Sequence, residues 1–528
     1  MDDKPMDRLY LHDAVFGVIG VCGVVSNLVA RALADNGFKV LGTDAQDEIN
    51  CKFKYTLDDY SFPLFLGGHP NSFLAKSDYI IPPPSLPADS ALRQKLEDCK
   101  LKDDYHLLDV EDVFKFIKPE KPVLCVTGTN GKTTTVSLLK HICTSSGLKP
   151  AEHGFRDMQG NIEYIPPLQC RLKGDVAILE TGTFGNPGDL KFIIERSSPD
   201  CGLITNITPD HMHSGQDFLK YASIKGEFLD YLKNKKLIVN GDDPTVWGLV
   251  TSKLGARQLE DVITFGVDTS KNKINEKKCW CGKKIQIDET ITGMGDYNCS
   301  CGLKKPEIQY LATDISDKSF TIVTPYQKLK VVTTLIGLHN IYNMLGAVVA
   351  AYEYFKIPFD QIINSIKDFN GVPGRLDFVG KYNDIDIIID YAHNPGGVET
   401  VLGELKKIYE KLAVVITISS ESGEEGDLDI FKKCVDNSSC VIPASYYSRK
   451  AADKYIELSK NDDPKENIIL PLKYPKEFKK GTLGANFEQI KLGLETGLEC
   501  DVEAVICLGE AAFKFKDDIK KMIIKSIP

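Results

Sequence analysis

The run Gly128-Thr-Asn-Gly131-Lys132-Thr133-Thr134-Thr135 constrains this chain more than any other segment. It follows an apolar, β-branched stretch, Pro122-Val-Leu-Cys-Val-Thr127, and precedes the helix-like Val136-Ser-Leu-Leu-Lys-His-Ile-Cys143. Strand, glycine turn and helix start are the context in which backbone N–H groups and a helix N-terminus gather an anion. Gly128, Thr129, Asn130 and Gly131 let the backbone approach phosphate oxygens. Lys132 is placed to reach the β/γ-phosphates, and the hydroxyl of Thr133 or Thr134 to bind Mg²⁺. A chance glycine turn ending in a surface lysine is the alternative, and these flanks argue against it. One departure stands out: the common pattern has a glycine five positions before Gly131, where this chain has Val126.

Short β-branched runs alternate with longer helix-like segments almost from end to end, which predicts α/β layers with parallel sheets. The 528 residues suggest three or four domains. Three units separate: 1–118, 119–370 with an insertion at 271–306, and 371–528. With 42% hydrophobic and 26% charged residues the chain is of globular type. Lys+Arg 64 against Asp+Glu 74 gives −10, which disfavours a protein held mainly by nucleic-acid phosphates. The polar N-terminus has no signal-peptide core, and the most apolar stretch, Val331 to Tyr354, is interrupted by His339, Asn340, Asn343 and Glu353. A cytoplasmic protein without a membrane segment is therefore expected. Of fifteen cysteines, eleven are scattered singly, and reduced buried thiols are expected at positions such as Cys125 and Cys507.

The short form Thr127-Gly-Thr-Asn-Gly-Lys-Thr-Thr134 resembles the phosphate loop of the Mur ligase family, the ATP-dependent cell-wall peptide ligases and their folylpolyglutamate and cyanophycin synthetase relatives. Further segments follow in the family's order over roughly 122–400. Ile178-Leu-Glu180-Thr resembles the strand-end glutamate, implying Glu180 as a Mg²⁺ ligand. Asn206-Ile-Thr-Pro-Asp210-His211 resembles the Asn-x-x-x-Asp-His motif, implying that His211 helps hold a second Mg²⁺. Lys225 stands where these enzymes carry a carbamylated lysine. Taken singly, His211 could be a helix-capping group and Lys225 part of a solvated face.

His339-Asn340-Ile-Tyr-Asn343 resembles the His-Asn-x-x-Asn motif, whose amides are suited to an adenine edge. Gly374-Arg375-Leu-Asp377 resembles the arginine that reaches nucleotide phosphate on domain closure. Asp390-Tyr-Ala-His393-Asn-Pro395 resembles Asp-Tyr-Ala-His-x-Pro, implying Asp390 near the ribose and His393 near the phosphates and the incoming amine. The implied fold is a three-domain one: a Rossmann-like N-terminal domain, a central P-loop ATPase domain and a Rossmann-like C-terminal domain.

In the first unit the strand Ala14-Val-Phe-Gly-Val-Ile19, the turn Gly20-Val-Cys22-Gly23 and Asp44 at the next strand end read as an anion site. A full Gly-x-Gly-x-x-Gly is absent, since Val18 takes the first position. The arrangement resembles the domain of MurC/MurD type that holds a UDP group, with Gly20, Cys22 and Gly23 toward the diphosphate and Asp44 toward the nucleoside. Close strand–helix packing that needs small residues, or an NAD site, are the alternatives.

Cys279-Trp-Cys281-Gly and Cys299-Ser-Cys301-Gly form two matching half-motifs separated by seventeen residues. Four thiolates from two turns suit a closed, structural Zn²⁺ site, although one intervening residue is tighter than the usual two to four. A redox pair or free thiols are the alternatives. The insertion resembles the ribbon of MurT.

The expected function is thus ligation of an amino acid to the carboxylate of a UDP-linked peptide precursor through an acyl phosphate, with ATP, Mg²⁺ and structural Zn²⁺. A monomer or weak homodimer and no nucleic-acid partner are expected. Among the family's branches, the pseudomurein peptide ligases of methanogens are the best candidate, on resemblance alone. A MurT-like subunit using ammonia from a glutaminase, or a P-loop switch with a macromolecule-binding ribbon, are the competing readings. The acceptor has no recognisable motif. The acidic, serine-rich Ser419–Asp427 loop faces either the acceptor or solvent.

Overall fold

The computed structural model describes residues 13–100, 105–156, 158, 160–208, 218–268, 273–291, 293–459, 467–469 and 484–525. The chain falls into two compact units. The first takes in Met1–Val126, Gly147–Thr183 and Gly188–Gly202; the second takes in Thr127–Ser146, Phe184–Pro187 and Leu203–Pro528.

In the first unit, strands β1 (Val15–Ile19), β2 (Lys39–Asp44), β3 (Leu64–Leu66), β4 (Tyr79–Ile81) and β5 (His106–Leu107) form a parallel sheet in the order β3-β2-β1-β4-β5. This is a doubly wound order, with its switch point beside β1. The helix Val24–Asp35 connects β1 to β2 and buries Leu28, Val29, Ala32 and Leu33 at helical spacing. It ends at Asn36, as the Asn-Gly pair predicts. Strands β6 (Val123–Thr127) and β7 (Ala177–Glu180) pair in parallel, Val126 opposite Glu180.

The cysteines correct one expectation. Cys22 is not a single thiol but is disulfide-bonded to Cys51. Asn27, in the first turn of the helix, ties the two segments: its amide donates to the carbonyls of Val21 and Phe53 and its oxygen accepts from Thr56. That brings the Cα atoms of Cys22 and Cys51 to 4.9 Å, within bridging range. Cys440 and Cys500 also face each other, at 2.9 Å between sulfurs. Cys125 and Cys507 are buried thiols, and burial pushes Cys507 up to about 12. The Cys22–Cys51 bridge spans 29 positions, so its removal from the unfolded ensemble implies roughly 3–4 kcal/mol. Cys51→Ser is expected to lower the unfolding free energy by about that much in a denaturant titration.

In the second unit, β8 (Cys201–Ile204, whose Leu203 and Ile204 fall in this unit), β9 (Lys236–Asn240), β10 (Val262–Val267), β14 (Tyr310–Ser316), β15 (Ser319–Val323) and β16 (Lys328–Val332) run in the order β16-β15-β14-β10-β9-β8. Between β10 and β14 the chain inserts an antiparallel ribbon, β11 (Lys273–Lys278), β12 (Lys284–Ile291) and β13 (Met294–Tyr297). A last sheet, β17 (Asp377–Tyr382), β18 (Ile385–Asp390), β19 (Leu412–Ile416), β20 (Cys440–Pro443) and β21 (Ala504–Leu508), has the order β17-β18-β21-β19-β20, with only the β17 edge antiparallel. Its four parallel strands are near-continuous runs of Ile, Val, Leu and Ala buried on both faces, as helix-covered parallel strands require. Their carboxyl ends bring Asp390, Thr417 and Gly509 together.

Candidate active site

The segment 128–131 leads from β6 into the helix Lys132–Ser145. Gly131 caps that helix at φ +84°, a conformation that favours glycine. A Cβ there would lie 2.1 Å from Asn343 Oδ1, and one on Gly128 would lie 2.0 Å from Thr205 Oγ1. Both glycines are therefore required by space. Asn206 clamps the loop: its carbonyl accepts the Thr129 N–H (2.8 Å), its Oδ1 accepts the Asn130 N–H (3.0 Å), and its amide donates to the Asn130 carbonyl (2.9 Å). Thr205 Oγ1 also donates to the Asn130 carbonyl, at 2.7 Å. Lys132 folds back over the loop, its Nζ donating to the carbonyls of Gly128 (3.0 Å) and Thr129 (2.8 Å). Lys225, on the helix Phe218–Asp230, is buried rather than part of a solvated face, and its Nζ donates to the Gly128 carbonyl at 3.3 Å.

Asn340 and Asn343 are buried and chained: Asn343 Nδ2 donates to Asn340 Oδ1 (3.1 Å), and Asn340 Nδ2 donates to the Ile336 carbonyl (2.7 Å). Asn343 thus rests on Gly131, beside the phosphate loop. His339 precedes them; burial lowers its pKa, and its Nδ1 has no hydrogen-bond partner among the described residues.

The 390–395 motif meets the same loop. Asn394 Nδ2 donates to Asn130 Oδ1 at 3.1 Å, and Asn130 Nδ2 lies 3.5 Å from Asn394 Oδ1. Asn394 also caps the helix Pro395–Leu405 by accepting the Gly397 N–H. Arg375 stacks on Tyr391 (4.2 Å to the ring centroid) and directs Nη2 to Thr133 Oγ1 at 3.4 Å. Asp390 is buried, with one oxygen accepting the Leu376 N–H and the other the Ala392 N–H, both at 2.7 Å. Burial raises its pKa, opposed by Arg375. The carboxylate therefore ties Arg375's turn to that of His393. The His393 Nδ1 lies 3.2 Å from the Tyr391 carbonyl, which accepts its N–H in that tautomer, and Nε2 lies 3.6 Å from Glu421. The acidic loop thus turns one carboxylate toward the histidine.

Two further elements belong to the first unit. Glu180 ends β7 in the first unit, buried, its Oε1 accepting the Asn161 amide at 2.8 Å. Also in the first unit, the Cys22 N–H donates to Asp44 Oδ2 at 2.8 Å and the Gln46 N–H to Oδ1 at 2.9 Å. Asp44 thereby caps the turn that holds Gly20, Cys22 and Gly23, whose own Gly20 and Gly23 N–H groups go to the carbonyls of Thr43 and Gly20. His211 and Asp210 lie outside the described residues.

In the ribbon, Cys279 and Cys299 head two matching turns, with N–H to carbonyl bonds Cys279–Lys283, Gly282–Cys279, Cys299–Leu303 and Gly302–Cys299. The sulfurs of Cys279, Cys281, Cys299 and Cys301 lie within 4.8 Å of one another, with Cys279–Cys301 at 3.8 Å and Cys281–Cys299 at 3.7 Å.

Sequence reading gave no role to Asn394, Asn206, Tyr391 or Glu421, though each lies inside or beside a quoted motif. The available signal was chemical, since an asparagine next to a motif histidine can both cap a helix and bond a loop amide. Asn394→Ala is expected to lower kcat about tenfold to a hundredfold, by misplacing the 390–395 turn, with a smaller change in KM for ATP. Steady-state ADP release checks this.

The family model for the Mur ligase middle domain matches residues 126–351, and that for the Mur ligase glutamate ligase domain matches 374–466. The UDP-N-acetylmuramate–L-alanine ligase of Clostridium perfringens is 25% identical over 454 residues, 82% of this chain and 84% of the relative. The UDP-N-acetylmuramoylalanine–D-glutamate ligase of Thermoanaerobacter pseudethanolicus is 28% identical over 384 residues, 71% of this chain and 70% of the relative. Among solved structures, a pseudomurein peptide ligase type C from Methanothermus fervidus aligns with TM-score 0.81 and 35% identity, over 96% of this chain and all of that one. MurC of Thermotoga maritima shares the fold at TM-score 0.55 and 17% identity. A phosphate loop clamped to an Asp-Tyr-Ala-His-Asn-Pro turn, both family domains in order and a 35%-identical relative matched end to end place the chain in the Mur ligase family, as an ATP-dependent ligase with that family's three-domain architecture.

Proposed function

We propose that this ligase joins an amino acid to the free carboxylate of a UDP-linked cell-wall peptide precursor, in a pseudomurein rather than a murein pathway. The observation that carries the reading is the Asn130–Asn394 pair, which sets the phosphate loop against the turn of His393. The pathway choice is supported by the 35%-identical pseudomurein ligase relative. The relatives named above lend no support to amidation by glutamine-derived ammonia.

In this reading a precursor carboxylate oxygen attacks the γ-phosphorus of ATP, and ADP leaves. The amine nitrogen then attacks the acyl carbon, inorganic phosphate leaves, and the nitrogen gives up a proton. Lys132 and the N–H groups of 129–132 hold the phosphates, and Arg375 holds the transferring group from the other side. His393, with Glu421 beside it, faces the amine. Asp390 fixes the two turns, and Asn340 and Asn343 face the nucleotide. Thr133 offers a hydroxyl oxygen to Mg²⁺, which when bound would neutralise phosphate charge. Glu180 and His211 are assigned as Mg²⁺ ligands, and Lys225 as a carbamylated lysine, on family resemblance. So are Gly20, Cys22, Gly23 and Asp44 at the UDP group, and the boundaries 118/119 and 370/371.

The ribbon sulfurs fit zinc. A tetrahedral site with Zn–S of about 2.3 Å has sulfur–sulfur edges of about 3.8 Å, and two edges here are 3.8 and 3.7 Å. Four sulfurs leave no open position, so the role is structural. Among the described residues no helix is long and apolar enough to cross a membrane.

The test is an ADP-release screen of UDP-linked acids against individual amino acids, with hydroxylamine to trap the acyl phosphate. One acid–amine pair should stimulate release and yield a hydroxamate before the amine is added. Hydrolysis indifferent to every pair would remove the proposal.

A further inference from the structure

Two fully buried aspartates, Asp242 and Asp243, follow β9, and the cations that neutralise them come from the ribbon. Asp242 Oδ1 faces Lys305 Nζ at 2.7 Å; Lys305 stands four residues after Cys301 and also pairs with Asp296 at 2.7 Å. Asp242 Oδ2 accepts the Tyr342 hydroxyl and the Val267 N–H, both at 2.7 Å. Thr290 of β12 shares the Tyr342 hydroxyl. The ribbon also grips the backbone here, Gly295 N–H donating to the Asp242 carbonyl (2.9 Å) and Tyr297 to the Gly241 carbonyl (3.0 Å). Tyr342 lies between Asn340 and Asn343 on the helix that rests on Gly131.

Asp243 repeats the pattern toward the other wall of the loop. Its Oδ1 accepts Lys277 Nζ of β11 (3.1 Å) and the Thr245 N–H (2.8 Å), and its Oδ2 accepts the Ile207 N–H (2.7 Å). Ile207 follows Asn206, the residue that clamps the phosphate loop. Burial works against the Asp242 carboxylate and Lys305 opposes that effect. Without its cation such a group takes up a proton or draws in water, and the acceptor that orients Tyr342 is altered.

We propose that the ribbon is a positioning element of the nucleotide site: Lys305 and Lys277 pair with Asp242 and Asp243, and these carboxylates fix the Tyr342 helix and the Asn206–Thr208 segment against the phosphate loop. Tyr342 and Lys305 are positioning residues, acting on ATP through Asn343 and Gly131. The inference rests on residues 128–134 being the nucleotide loop. It extends to the metal, since the Cys299–Cys301 turn sets where Lys305 emerges.

The test uses the full chain. Tyr342→Phe removes one hydroxyl, and Lys305→Met removes the cation. Affinity for ATP with Mg²⁺ and, separately, for UDP is read by calorimetry. Each variant should weaken ATP binding about threefold to thirtyfold, the size expected of a network contact. UDP binding should be unchanged, KM for ATP should rise more than kcat falls, and Lys305→Arg should restore affinity. The double variant should be no weaker than Lys305→Met, because both act through one carboxylate. Chelation of the parent should give at least the same loss, reversed by zinc, and in Lys305→Met should add only the share carried by Lys277 and Asp243. Unchanged ATP affinity in both single variants overturns the inference alone. So does an equal loss for ATP and UDP with a lowered melting point, which marks general destabilisation. Absence of ATP binding by the parent overturns this inference together with the reading of the loop.

Discussion

Replacing Lys132 by alanine is expected to cut ligation-dependent ADP release by about a thousandfold, with the melting temperature nearly unchanged. The ammonium lies over the loop, bonded to the carbonyls of Gly128 and Thr129. Those two acceptors are main-chain oxygens that solvent can satisfy once the side chain is gone, so the stability cost is small. The catalytic cost is large because charge develops on the transferring phosphoryl group where this ammonium arrives. Arginine should not restore the rate, since a planar fork cannot occupy the same point above a turn this tight. ATP affinity should fall less than the rate, because the backbone N–H groups of the helix start still bind the phosphates. Single-turnover ADP formation at saturating ATP separates the two. A variant within tenfold of the parent would take Lys132 out of the reaction.

What could be read before the fold was known was local chemistry. The phosphate loop announces itself because each position is chemically forced: glycines where Thr205 and Asn343 crowd the backbone, a lysine and hydroxyls where a helix starts. The ribbon was legible for a similar reason, as two turns of identical pattern need a common partner. The partnerships across the chain were not legible. Asn130 and Asn394 are 264 positions apart, and Asp242 and Tyr342 are 100 apart. Nothing in either local pattern encodes the distance.

Direction was hidden too. Asp390 ends a buried strand, and its oxygens accept two backbone N–H groups, a tie between turns that the motif does not announce. A strand-end carboxylate can face ligand or chain, and the residue type does not decide which. Cys22 illustrates the same limit. Its bridge to Cys51 depends on Asn27 pinning the 51–56 segment to the helix, which spacing alone does not reveal.

On the proposal that the four ribbon sulfurs hold zinc, removing that metal should have the largest structural effect in the molecule. The ribbon's own apolar cluster is small: Cys279, Ile285, Ile287, Tyr297 and Cys299, with Trp247 and Leu303 packed against it. Two members of that cluster are the proposed ligands themselves. A three-stranded sheet with so little apolar surface is not expected to hold without a staple. Structural zinc supplies binding free energy on the order of 10 kcal/mol, which here is local folding free energy. Cys299→Ser, which removes a buried ligand, should therefore abolish stoichiometric zinc and open the strands Lys273–Lys278, Lys284–Ile291 and Met294–Tyr297 to proteolysis and hydrogen exchange. The sheets of the first unit should stay protected, since they carry their own cores. Cys281→Ser, at an exposed ligand, should weaken zinc without the same collapse, because serine's oxygen or water can complete a three-sulfur site. The ordering of the two variants separates metal from mere thiol packing: if the cluster were an apolar plug or a redox pair, metal analysis would read no zinc in the parent. In that case Cys281→Ser would be silent, and chelators would leave the ribbon's exchange untouched.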